Sequence, residues 1–393
     1  MLDVVEMDQL KAAIQKSIAQ SEISGCNLMV IKEGEEVFYH EDGLSDMEAN
    51  IPISRDSIFR LYSMSKPVTG LAAMILMERG LIDLYEPVSK FLPGFMNQMV
   101  DEGGELKPVL REVTIKDLLS MTSGLVYPGD GNLADKGTAQ LFTEADERLL
   151  GSNPMSTMEI MNELGKCPLA FQPGILWRYG TSADVMGAVI EAVSGISFGE
   201  FLEKEIFKPL DMKDTAFYVP EEKRYRLVKT YQNDGGGGLK HYTGNNLAII
   251  GAMDRKPAFE SGGAGLVSTI DDYSRFTKML MNGGQLDGVR IIRSATYEYF
   301  INSTLTEEQR RGYDWSTLSG YNYGNLMRIM TDPDNAAGMA SPMEYGWDGW
   351  LGAYFTNCPK DDLTILFMTN KTDAGTMHLT RKLRNIILSS FRS

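Results

Sequence analysis

At 393 residues, with 43% apolar residues and a formal charge of −15, the chain has material for a large hydrophobic core under an acidic surface. That charge repels phosphate backbones and anionic lipid, so neither a nucleic-acid nor a membrane partner is expected. No stretch approaches the roughly 20 apolar residues that span a bilayer. The acidic N-terminal segment lacks the apolar centre of a signal peptide, so a cytoplasmic location is expected. Cys26, Cys167 and Cys358 are far apart and odd in number, which predicts buried free thiols instead of a disulfide framework. His40, His241 and His378 are equally scattered and support neither a Ser-His-Asp triad nor a His-based metal site; no metal and no cofactor is expected.

In chain order, apolar spacing predicts an amphipathic helix over residues 7–19. Two apolar runs, 26–32 and 36–40, joined by Glu33-Gly34-Glu35, predict a β-hairpin. A helix is predicted from about residue 63 to 79, stopped by Gly80 in the position glycine favours, and a short one over 116–122. Thr181-Ser182-Ala183-Asp184 reads as a capping-box-like start to another helix, followed by Gly195. Residues 125–155 and 216–258, the latter with a glycine run at 235–238, are predicted irregular and expected to wall a site. Strands return at 353–357 and 363–369, and a helix over about 377–389 closes the chain. No linker or repeat divides it, so a single catalytic unit over residues 1–393 is expected.

The chemistry concentrates in three segments. In Tyr62-Ser63-Met64-Ser65-Lys66, Ser63 and Lys66 stand three residues apart at a helix start, one turn apart on one face. A lysine amine held near neutrality takes a serine proton, and free N–H groups at the helix start face a developing oxyanion. Downstream come Trp177-Arg178-Tyr179-Gly180-Thr181 and Tyr345-Gly346-Trp347-Asp348-Gly349-Trp350. The ordered set Ser-x-x-Lys, Tyr and x-x-Gly resembles the serine β-lactamase and penicillin-binding-protein superfamily, nearest its class C β-lactamase-like hydrolases and family VIII carboxylesterases. Segments 51–59, 78–88, 114–125, 207–212 and 262–269 extend the resemblance over nearly the whole chain.

The resemblance implies an α/β (α+β) fold, β-lactamase/transpeptidase-like, with an antiparallel sheet from the N-terminal hairpin and the last strands, flanked by both terminal helices. Its α/β part would cover about residues 1–62 and 260–393, with a mostly helical part at about 63–259. It implies Ser63 as nucleophile with Lys66 and Tyr179 as the proton-handling pair, either of which could be the base. The oxyanion hole would be the backbone N–H groups of Ser63 and Trp350, with Gly349 allowing close approach. Tyr127, Trp350 and Tyr354 are expected pocket walls. Trp347 and Asp348 stand where penicillin-recognising relatives carry a cation or donor before Thr-Gly, so a substrate carboxylate is expected to bind poorly, and Asp348 would suit a substrate amine. Thr181 replaces an asparagine, and Met121 replaces a histidine and is expected to pack. The implied activity is hydrolysis of short-chain carboxylic esters through an acyl-enzyme. Its rivals are an amide hydrolase (D-aminopeptidase, DD-peptidase or weak β-lactamase) and a non-catalytic binding protein of this fold. The partner is a small ester or amide, and the sequence leaves the oligomeric state open.

Overall fold

A computed structural model describes residues 4–391; the first residues of the acidic N-terminal segment lie outside them. An antiparallel sheet of eight strands forms the spine, in the order Tyr321–Gly324, Met327–Met330, Tyr345–Asp348, Tyr354–Cys358, Leu363–Met368, Gly25–Lys32, Glu35–Asp46, Ile51–Pro52. Strands from the two ends of the chain therefore meet in its middle, and most helices lie between them in sequence. The hairpin turns on two residues, Glu33 and Gly34, both with positive φ (55° and 80°), the geometry that matches strand twist.

The central strands are buried on both faces, which is why they read as apolar runs instead of an alternation. Leu28 and Val30, Ile365 and Phe367, and Tyr354 face a core shared with the terminal helices Val4–Ala19 and His378–Phe391. Their neighbours Met29, Ile31, Leu366, Met368 and Phe355 face the opposite, larger core. Among the described residues no single helix is long and apolar enough to cross a membrane.

The segment carrying Ser63 begins with a 3-10 turn, Tyr62–Met64, and becomes an α-helix only at Ser65–Glu78, two residues later than the spacing predicts. Tyr62 has φ 45°, a left-handed conformation costly for an aromatic residue, so the chain enters this turn under strain. The helix is buried on every side from Ser65 to Leu76, which accounts for its lack of a polar face. Met121 packs in the core as expected.

Two local expectations are corrected. Residues 125–155 are not irregular throughout: Leu133–Arg148 is a helix, capped by Asn132 accepting from Asp135 N–H. The helix after Thr181, Ser182–Ser194, has no capping box. Thr181 Oγ1 instead donates to the Val126 carbonyl and Ser182 Oγ meets Ser123 Oγ at 2.8 Å, because this buried helix start is satisfied by the neighbouring loop. That leaves Asp184 free for another task.

Candidate active site

Ser63, Lys66 and Tyr179 come together from the strained turn, the first turn of the central helix and the loop before Ser182–Ser194. Lys66 Nζ lies 3.0 Å from Ser63 Oγ, 3.0 Å from the Tyr127 hydroxyl and 2.8 Å from the Gly263 carbonyl oxygen. A neutral amine satisfies all three, donating its two N–H groups to Gly263 and Tyr127 and accepting the Ser63 hydroxyl proton on its lone pair. Complete burial pushes Lys66 down to about 7, against the opposing pull of Asp184 and Asp348. The competing hydroxyl is otherwise engaged: Ser65 is fully buried and its Oγ accepts from Leu266 N–H at 3.1 Å.

Tyr179 sits with its ring centroid 4.6 Å from Lys66 Nζ, and its hydroxyl accepts from Trp347 Nε1 at 3.0 Å. Burial raises its phenol well above the ordinary range, more than the neighbouring Ser63 hydroxyl and the bond from Trp347 lower it. The lysine thus meets the ring face, and burial acts on the two groups in opposite senses, favouring the neutral amine and the protonated phenol.

Gly349 lies where a Cβ would stand 2.1 Å from the Leu61 carbonyl oxygen, so only glycine lets this chain pass the turn that carries Ser63. Trp350 follows it, and among the described residues no acceptor takes its N–H. Ser63 N–H precedes the first bond of its turn, Met64 N–H to Leu61 O, and is likewise free to point at an oxyanion. Gly349→Ala is expected to lower kcat by about 10²- to 10³-fold by displacing one donor; a kcat within about threefold of wild type in a steady-state assay would contradict it.

Two cavities share Ser63, Tyr179 and Trp350 in their linings. One, of about 470 Å³, is walled by Tyr62, Tyr127, Phe142 and Leu247, with Asp146 also lining it. The other, of about 530 Å³, is walled by Trp315, Leu318, Trp347, Arg328 and Asp348. Both stretches wall the site as expected, the first through Tyr127 and through Phe142 on the Leu133–Arg148 helix, the second through Asn246 and Leu247.

Two pocket assignments are corrected. Tyr354 is not a wall of either cavity: it pairs in register with Asp348, is 1% exposed, and its hydroxyl accepts from Arg384 in the core against the terminal helices. Asp348 is not a free acid, because Arg328 from the adjacent strand pairs with it. It is therefore unavailable to hold a substrate amine alone, and the cavity does not lack a cation. Arg328 and Asp184 are the site residues that sequence reasoning missed. Arg328 had left a signal, a lone arginine within the apolar run Met327–Met330, since a strand buried on both faces tolerates a charge only with a partner. Asp184 left a weaker one, reading as a cap.

The sequence pattern of the beta-lactamase family matches residues 10–387. The chain belongs to the beta-lactamase family. It is 31% identical over 379 residues to Protein Rv1367c of Mycobacterium tuberculosis (strain ATCC 25618 / H37Rv), covering 93% of this chain and 90% of that one. It is 29% identical over 389 residues to Esterase EstB of Burkholderia gladioli, covering 93% and 91%. In fold it is similar to EstCE1, described as a hydrolase with promiscuous acyltransferase activity, with TM-score 0.81, 22% identity and coverage of 97% and 98%. This beta-lactamase-family protein is a serine hydrolase with the α/β fold that its motifs implied, a large antiparallel sheet with helices.

Proposed function

We propose that the protein is a carboxylesterase that acts through an acyl-enzyme on Ser63. The observation that carries this reading is the three-way coordination of the buried Lys66 amine by Ser63, Tyr127 and Gly263. Lys66 takes the hydroxyl proton as Ser63 Oγ bonds to the ester carbonyl carbon, and the N–H groups of Ser63 and Trp350 hold the oxyanion. The C–O bond to the alcohol then breaks. The lysinium hands the proton it took to the departing alkoxide, while the Tyr179 hydroxyl beside Ser63 stays protonated and steadies the leaving oxygen as a donor. Water then hydrolyses the acyl-enzyme.

Ester over β-lactam preference is supported by Trp347, whose indole takes the position of the carboxylate-binding cation and is spent on Tyr179. The named activity of EstB agrees with it. Short-chain esters are the proposed substrates, although cavities of about 470 and 530 Å³ also admit larger groups. The test is a panel of p-nitrophenyl esters of increasing acyl length, D-amino-acid p-nitroanilides and a chromogenic cephalosporin. Esters are expected to give the highest kcat/KM, with an acid limb at about pH 7 and a plateau above it, because Lys66 is active when neutral. A higher kcat/KM on the anilides or the cephalosporin would overturn the esterase reading. A rate still climbing above about pH 9 would make Tyr179 phenolate the base.

A further inference from the structure

Asp184 is a buried acid for which the reaction above gives no role. It is 3% exposed on the first turn of Ser182–Ser194, and among the described residues no cation lies within ion-pair distance of it. Its Oδ1 accepts from Ser261 Oγ at 2.5 Å and from Gly263 N–H at 3.0 Å. The same Gly263 turns its carbonyl to Lys66 Nζ. A Cβ at Gly263 would stand 2.6 Å from Asp184 Oδ2, so the turn is pressed directly against the carboxylate. On its other side Thr69 Oγ1, from the nucleophile helix, donates to Gly262 O at 2.7 Å.

The groups facing Lys66 from each packed element are Ser63 on its own turn, Tyr127, Tyr179, the Gly263 carbonyl, Asp184 and Asp348. Of the two acids, Asp348 has its own cation in Arg328. Asp184 has only Lys66 to answer.

We infer that Asp184 is a positioning residue for Lys66: it fixes the Gly262-Gly263 turn whose carbonyl receives one amine N–H, and its unpaired charge keeps the buried amine basic enough to take the Ser63 proton. Burial pushes the amine toward its neutral form, and Asp184 opposes that push. Burial also pushes the Asp184 carboxyl up, while Lys66, Ser261 and Gly263 pull it back toward the ionised form. Without the charge the lysine would be a weaker base, neutral to lower pH yet less able to hold the proton. The inference rests on Lys66 being the base of the proposed esterase.

The experiment compares full-length wild type, Asp184→Asn and Ser261→Ala by pH profiles of kcat/KM on p-nitrophenyl acetate, with the pH dependence of fluorophosphonate labelling as a second readout. Asp184→Asn keeps the shape and the acceptor while removing the charge. Its acid limb is expected to move down by about one pH unit, with a plateau about threefold lower. Ser261→Ala removes one hydrogen bond that holds the carboxylate ionised, so a smaller shift in the same direction is expected. Should Asp184→Asn not fold, Ser261→Ala decides alone. A lower plateau with the limb unmoved is what a merely structural role gives, and it would overturn the inference. Wild type that neither turns over the ester nor labels at Ser63 would instead overturn the esterase reading itself.

Discussion

Ser63→Ala is expected to abolish turnover and covalent labelling while leaving the fold intact. The variant loses one oxygen, from a residue on a 3-10 turn held by Met64 N–H to Leu61 O and by Tyr273 OH donating to Met64 O at 2.8 Å. None of these bonds uses the Ser63 side chain. The loss in kcat should be on the order of 10⁴- to 10⁶-fold, the scale on which removal of an activated serine acts. The measurement pairs steady-state rates with mass spectrometry of fluorophosphonate-treated protein. A persisting adduct, above all at Ser65, would refute the assignment; Ser65 is expected to stay unlabelled because it is sealed in the core with its oxygen bonded to Leu266 N–H.

Lys66→Met is the second large effect. The methionine fills nearly the same space without a lone pair, so the Ser63 hydroxyl loses its proton acceptor and kcat should fall by about 10²- to 10⁴-fold. The acid limb near pH 7 should vanish with it, since the group responsible is gone. Stability should change little. The Gly263 carbonyl and Tyr127 hydroxyl each lose a partner, a cost of about 1–3 kcal/mol per buried group, but an apolar side chain in this buried site removes the desolvation penalty of the amine. A variant that unfolds at the wild-type temperature and has lost both rate and limb fits this account. A surviving limb at the same pH would place the base elsewhere.

Removal of one group from a coupled site is not a partition of the catalytic energy, because Ser63, Lys66, Tyr179 and Tyr127 share protons. The two variants therefore test roles. They are most informative when read with Asp184→Asn, which leaves Ser63 and Lys66 in place and changes only the field around them.

The sequence by itself put Ser63 and Lys66 together, because a three-residue separation at a helix start places both on one face, and the resemblance carried by the later motifs is what proposed them as the reacting groups. It determined the need for glycine at 349, and it marked the terminal strands, whose apolar runs reflect burial on both faces. It also named Tyr127 as part of the site, although as a wall and not as a direct partner of Lys66. What only the tertiary structure decided was which charged and polar groups surround Lys66. Arg328 and Asp348 lie 20 residues apart in the chain and become partners because their strands are neighbours in the sheet. Asp184 faces Lys66 only because the Gly262-Gly263 turn is folded between them. Tyr354 leaves the pocket because the side-chain period of two turns it into the core against the terminal helices, where Arg384 donates to its hydroxyl, while its neighbour Phe355 shares the opposite face with Trp347. Covalent spacing carries the short-range geometry of a nucleophile and its base, whereas the protonation of a buried lysine depends on through-space charge and desolvation. Those are set by chain segments that meet only when the sheet and the helical part have packed.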